Sequence, residues 1–286
     1  MQTETFQKKM KHFFALKRRF VLALTIGAST IGASSAAFAG DTLQDGVLQV
    51  GSDLTYPPYN YFDNNNKPAG FDVEFMQAIA QKAGLSLRVQ DTRFENLILG
   101  VNGRQFDVIA STLYVNPERA KAIHYIPYMK TGVSIAVNSA SGNAFTRPEE
   151  LCGKKVGSIK GGAWIAELHK LAETACKGNP IDVREFPTSP EVTQALLANG
   201  IDAQMEDSAV LQNAANMLRG RIKISSKENF YPVVVGLGLQ KGQDNLKATL
   251  EKALHALEAD GSYDALLKKY NVSKPTAAEF AQAIKE

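Results

Sequence analysis

Arg119, Asp207 and a set of hydroxyls and aromatic rings occupy the points of this 286-residue chain where chemistry tends to gather. Asp53 and Tyr56 follow the apolar run Val47 to Gly51; Ser111, Thr112 and Tyr114 follow Phe106 to Ala110; Gly161, Gly162 and Ala163 follow Lys155 to Ile159; Asp207 follows Ile201 to Glu206. Each run reads as a strand, and ligands of open α/β sheets collect beyond the carboxyl ends of strands. Asn116-Pro117-Glu118 reads as an N-cap, a first-position proline and a first-turn acid. That places Arg119 in the opening turn of a helix, where free N–H groups and the helix dipole favour anions. One fixed cation, carboxylates, hydroxyls and aromatic faces together suit a zwitterion. Catalysis has less to stand on. Asp53, Glu206 and Asp207 are candidate acids, but no Ser/His/Asp constellation accompanies them, and Gly161-Gly162 lacks the Lys-Ser/Thr of a phosphate loop. His124, His169 and His255 are scattered without ligand spacing, so no metal, cofactor or catalytic group is expected.

The elements that must position these groups alternate. After the Val47–Gly51 strand and a loop kept from helix by Pro57-Pro58, Val73, Met76, Ile79, Ala80 and Ala83 recur at helical spacing until Gly84. Thr92 and Glu95 read as a capping box before Leu97, Ile98 and Val101. A strand over Gly132 to Asn138 runs into the small-residue loop Ser139 to Asn143, a boundary or hinge. Beyond it come a strand at Lys155 to Ile159, a helix at Ala163 to Ala175, a strand at Ile181 to Phe186 and a helix opened by Ser189-Pro190-Glu191. Asp207 begins a new segment after the Ile201–Glu206 strand. Val233 to Leu239 is again strand-like, Leu246, Leu250, Ala253, Leu254 and Leu257 make one helical stripe, and Thr276 with Glu279 caps a last helix. The alternation implies an α/β fold of two open sheets.

Residues 8–19 are basic, Phe20 to Ser35 are largely apolar, and Ala37-Phe38-Ala39 offers small residues for a signal peptidase, so residues 1–39 read as a secretory signal peptide. They hold six bases and one acid, leaving 26 bases against 28 acids in the remainder, which lacks the basic field of a nucleic-acid binder. Cys152 and Cys176 are the chain's two cysteines, and in an oxidising compartment they read as one disulfide, the alternative being two buried thiols.

Gly51-Ser52-Asp53 with Tyr56 and Pro58, Gly70-Phe71-Asp72-Val73, Phe94 with Leu97-Ile98, Phe106-Asp107-Val108-Ile109, Pro117-Glu118-Arg119-Ala120-Lys121, Gly153-Lys154-Lys155-Val156-Gly157 and the run Asp202 to Asp207 resemble, in order and spacing, the polar amino-acid-binding proteins of ABC importers (solute-binding protein family 3). The resemblance implies a two-lobed periplasmic-binding-protein fold with a two-strand hinge, lobe 1 comprising 40–136 and 234–286 and lobe 2 comprising 137–233, the crossings lying near Ala136 and Val233. It implies a monomeric periplasmic receptor, not an enzyme, that closes on a polar or basic L-amino acid and delivers it to an ABC permease. Arg119 would take the α-carboxylate and Asp207 the α-ammonium; Ser111 and Thr112 would add hydrogen bonds, Tyr56 and Phe94 would pack on the side chain, and Asp53 would meet its end. Gly162 and Ala163 offer backbone N–H groups where the family often has a hydroxyl, and Tyr114 stands where a small hydroxyl residue is common. The alternative is a periplasmic dehydratase on the same fold acting on a cyclic amino or keto acid, with a pocket carboxylate as general acid.

Overall fold

The computed structural model describes residues 42–227 and 229–285; the signal-peptide reading falls on residues outside them. In chain order the elements are β1 (Val47–Ser52), β2 (Thr55–Tyr56), β3 (Asn60–Phe62), β4 (Pro68–Ala69), α1 (Phe71–Ala83), β5 (Ser86–Asp91), α2 (Leu97–Asn102), β6 (Val108–Ile109), α3 (Pro117–Ala122) and β7 (Ile123–Asn138). They continue with β8 (Lys155–Ile159), α4 (Ala163–Glu173), β9 (Asp182–Phe186), α5 (Ser189–Leu197), β10 (Ala203–Asp207), α6 (Ser208–Met217), β11 (Ile222–Ile224), β12 (Phe230–Gln240), α7 (Asp244–Ala259), α8 (Ser262–Tyr270) and α9 (Ala277–Ala283).

The fold is the two-lobed α/β arrangement. Its strands lie in the order β5-β1-β6-β12-β7-β10-β8-β9, with β11 paired to β7. At one end β1 runs parallel to β5 and β6, and at the other β8 runs parallel to β9 and β10. The antiparallel pair β7 and β12 joins the two ends into one hydrogen-bonded ladder. Strand β7 pairs with β12 from Ile123 to Thr131 and again at Val133, and with β10 from Val133 to Ala136. A strand of 16 residues is long enough to belong to both ends.

Local chemistry explains most boundaries. Helix α1 buries Phe71, Phe75, Met76, Ile79 and Ala80 and stops at Gly84, whose φ of 73° suits a residue without a Cβ. Phe75 and Tyr128 stack at 4.8 Å, tying α1 to β7. Asn116 caps α3 and Thr188 caps α5, each accepting from the backbone N–H three residues on. The Thr276/Glu279 capping box is complete.

Three expectations change. The Thr92/Glu95 capping box does not form: a 3-10 turn over Phe94–Asn96 intervenes, and the Glu95 carboxylate pairs with Lys160 at 2.6 Å. The Phe106–Ala110 strand shrinks to Val108–Ile109. The Gly132–Asn138 strand is the second half of β7, whose first half contains Pro127. Pro127 lacks an N–H and sits where the β7–β12 register shifts, which is where a sheet tolerates proline.

Cys152 and Cys176 are disulfide-bonded with a separation of 24 residues, and the closed loop contains β8 and α4. Cross-linking a loop of that size contributes about 3 kcal/mol, mainly by restricting the unfolded chain. The Cys152→Ser/Cys176→Ser double variant should unfold at lower urea concentration, with about that loss in free energy; unchanged urea midpoints would contradict this assignment.

Candidate functional site

The site grows from the carboxyl ends of β1, β6, β8 and β10, as the strand pattern requires. Asp53, Tyr56, Phe94, Ser111, Thr112, Tyr114 and Gly162, all expected from sequence, line one narrow cavity together with Ile159 and Trp164. Its free volume for the centre of a water molecule is about 10 Å³, room for about one water. Ala163 sits between Gly162 and Trp164 at the start of α4.

Arg119 and Asp207, also expected at the site, do not line this cavity but both bind Tyr114, which does. Arg119 Nη1 donates to the Tyr114 carbonyl at 2.9 Å and Nη2 to the Gly161 carbonyl at 2.8 Å. Its guanidinium carbon lies 5.4 Å from the centre of the Phe94 ring. Asp207 lies at the end of β10, caps α6 by accepting from Ala209 N–H at 2.9 Å, and accepts from the Tyr59 and Tyr114 hydroxyls, each at 3.1 Å. Its own N–H donates to the Tyr56 hydroxyl at 3.4 Å. Tyr114 therefore offers its carbonyl to the cation and its hydroxyl to the carboxylate, and among the described residues Arg119 and Asp207 form no ion pair with one another. Burial pushes the Asp207 carboxyl up to about 6, while its hydroxyl and N–H partners pull the other way. Burial also lowers the Arg119 pKa.

Asp53 is buried and already engaged. Thr55 Oγ1 donates to its Oδ1 at 2.7 Å, Arg93 Nη1 lies 3.1 Å from the same atom, and Phe94 N–H donates to Oδ2 at 2.9 Å. Burial raises its pKa against the Thr55 and Arg93 contributions. Ser111 Oγ accepts from the Asp53 N–H at 3.0 Å, coupling the β1 and β6 loops.

Sequence reasoning missed the residues that hold this wall in place. Thr112 has φ of 47°, a region that costs a β-branched residue, and Asp72 holds it there. The Asp72 carboxylate accepts from Thr112 N–H at 2.7 Å, Thr112 Oγ1 at 3.0 Å, Asn60 Nδ2 at 2.5 Å and Tyr128 hydroxyl at 2.6 Å. Burial still pushes its pKa to about 6. Asp72 was visible only as part of Gly70-Phe71-Asp72-Val73. Tyr59 was hidden behind the Pro57-Pro58 loop, whereas Trp164, directly after Gly161-Gly162-Ala163, could have been found. Gly161 itself has φ of 75°, which turns its carbonyl to Arg119 without a Cβ penalty.

Glu206 is one residue before Asp207 on β10 and faces away, since successive strand side chains point to opposite faces. Its Oε2 accepts from Ser189 Oγ, its Oε1 has no partner among the described residues, and it does not line the cavity. Among the described residues no group of three or more His, Cys, Asp or Glu could hold a metal ion, and no helix is long and apolar enough to cross a membrane.

Residues 48–273 match the model of the bacterial extracellular solute-binding proteins, family 3, and the chain belongs to that family. It is 25% identical over 261 residues to the L-cystine-binding protein TcyJ of Escherichia coli, covering 89% of this chain and 96% of that protein. A solved ancestral arginine-binding protein bound to arginine superposes with TM-score 0.73 at 29% identity, covering 79% of this chain and 98% of that one. An ancestral amino acid-binding protein described as a precursor of cyclohexadienyl dehydratase superposes with TM-score 0.69 at 25% identity, covering 79% and 95%.

Burial pushes the Glu206 carboxyl up to about 7 from an ordinary 4.5, despite the Ser189 hydrogen bond. Between those values the folded chain keeps a proton that the unfolded chain has released, so stability falls as pH rises through about 4.5 to 7. Glu206→Gln should flatten this part of the stability profile and exceed the wild type above pH 7 by roughly 3 kcal/mol. Parallel denaturation profiles of the two proteins would refute the assignment.

Proposed function

We propose that this chain is a periplasmic receptor that closes on a free α-amino acid and delivers it to an ABC permease. The observation that carries this reading is the separation of Arg119 from Asp207: a half-buried cation and a fully buried carboxylate both reach Tyr114 without pairing. A zwitterion supplies the partner each lacks. Arg119 would exchange the two carbonyls for the α-carboxylate, which its planar fork accepts through two parallel bonds. Asp207 would exchange tyrosine hydroxyls for the α-ammonium. Ser111 and Thr112 supply oxygens, Gly162 and Ala163 stand at the start of α4, Tyr56 and Phe94 pack on the side chain, and Asp53 faces its end. Cystine-, arginine- and histidine-binding relatives support an amino acid as ligand.

The hinge in this reading lies where the pairing of β7 with β12 thins and that with β10 begins, around Thr131 to Val133, and at the β12 register shift between Phe230 and Val233. Both points are within a few residues of the crossings near Ala136 and Val233, so lobe 1 on 40–136 and 234–286 and lobe 2 on 137–233 remain the proposed domains. Tyr59 to Asp207, Arg119 to Gly161 and Lys160 to Glu95 then bridge the lobes. The receptor acts as a monomer, reaches the periplasm by cleavage after Ala39, and does not turn its ligand over.

The dehydratase reading draws on the likeness to the dehydratase precursor. Against it, Glu206, one of the three candidate acids, lies off the cavity. Product formation from prephenate or arogenate would overturn the receptor reading.

Calorimetric titration of residues 40–286 with the common amino acids should give one-site binding for a small subset. Arg119→Ala should lose roughly 2–5 kcal/mol of that binding, the scale for truncating one partner of a buried charge pair, and Arg119→Lys should not restore it. Equal binding by wild type and Arg119→Ala would refute the role. Solution scattering with the tightest amino acid should show a smaller radius of gyration than without it; superimposable profiles would exclude hinge closure.

A further inference from the structure

Trp164 is the chain's one tryptophan and was not among the residues expected at the site. It lines the cavity, is 3% exposed, and its indole Nε1 has no acceptor among the described residues. Its ring is wedged between Tyr114, at 5.0 Å between centroids, and Tyr231, at 5.9 Å. A buried indole N–H is normally satisfied, and leaving such a donor unmatched costs about 1–3 kcal/mol. Of the buried side-chain atoms without any hydrogen-bond partner among the described residues, it is the one on a residue that lines this cavity, and the acceptor it requires is assigned to what the cavity receives.

We infer that the Trp164 indole N–H donates to an acceptor on the ligand's side chain, and that the site selects amino acids with a side-chain carboxamide. This rests on the amino-acid reading above. There the α-carboxylate is matched by the Arg119 guanidinium, a charged fork that a neutral indole does not replace. The indole's acceptor is then on the side chain, the α-carboxylate's remaining lone pairs being the competing acceptor that the comparison with methionine separates. A guanidinium or ammonium offers donors only, and an aliphatic side chain offers nothing, so each leaves the indole unmatched. A second carboxylate would bring negative charge beside Asp53. A carboxamide offers an oxygen to Trp164 and an NH2 to Asp53, whose Oδ2 accepts one bond from Phe94 N–H and has a lone pair left. Trp164 is thus a specificity-determining residue, and the choice between polar and basic ligands goes to the polar amides.

The test compares L-glutamine with L-methionine, similar in length and without the amide, on wild type and Trp164→Phe, which keeps an aromatic ring and removes the donor. Calorimetry should show Trp164→Phe weakening glutamine by about tenfold, the order of one net hydrogen bond, with methionine unchanged. Equal weakening of both ligands would put the indole on the shared α-carboxylate or in the fold, and no weakening would leave it without a ligand role; either overturns the inference. Because there is one tryptophan, the wild type gives one indole 15N–1H resonance. Glutamine should move it downfield and methionine should not, a readout that stands if the variant fails to fold. If wild type binds no amino acid, the receptor reading fails and takes this inference with it; if it binds methionine as tightly as glutamine, the receptor reading survives and the carboxamide preference does not.

Discussion

Keeping a half-buried cation and a fully buried carboxylate satisfied without letting them neutralise each other is the constraint on which the structure turns. Burying a charge is costly unless it is paired or hydrogen-bonded. A direct Arg119–Asp207 pair would meet that cost and close the site to any zwitterion. The chain instead gives Arg119 two carbonyls and Asp207 two tyrosine hydroxyls. These neutral partners are good enough to hold the charges in place and weaker than the charged groups of an amino acid. Tyr114 is central because its two ends serve both charges.

The rest of the fold can be traced from that requirement. Arg119 is aimed by α3, whose first turn is fixed by Asn116 and Pro117; Asp207 is aimed by its double position as last residue of β10 and cap of α6. Between them, Asp72 spends its entire carboxylate on Thr112, Asn60 and Tyr128, holding a threonine in left-handed backbone beside the cavity. The antiparallel pair β7 and β12 carries both halves of the site.

Much of the scaffold was legible in sequence because its signals are local. Lys155–Ile159 matches β8 in both boundaries, the Leu246–Leu257 stripe is the buried face of α7, and the Asn116 and Thr276 caps form as their spacing implies. Asp207, expected to begin a new segment, is the cap of α6. What was not legible depends on partners distant in sequence. Glu95 abandons its local cap for Lys160, the first half of β7 is disguised by Pro127, and Trp164 acquires meaning only when its indole is seen buried without an acceptor. Asp72, inside a recognisable motif, gave no hint that it holds Thr112 forty residues away.

The most direct test of the account is a crystal structure of residues 40–286 with the amino acid that binds most tightly. The ligand's α-carboxylate should lie within hydrogen-bond distance of both Arg119 Nη atoms and its α-ammonium within reach of an Asp207 oxygen, with the Tyr114 hydroxyl displaced from Asp207. A bound ligand that leaves Arg119 on Tyr114 and Gly161, and Asp207 on its tyrosines, would contradict it.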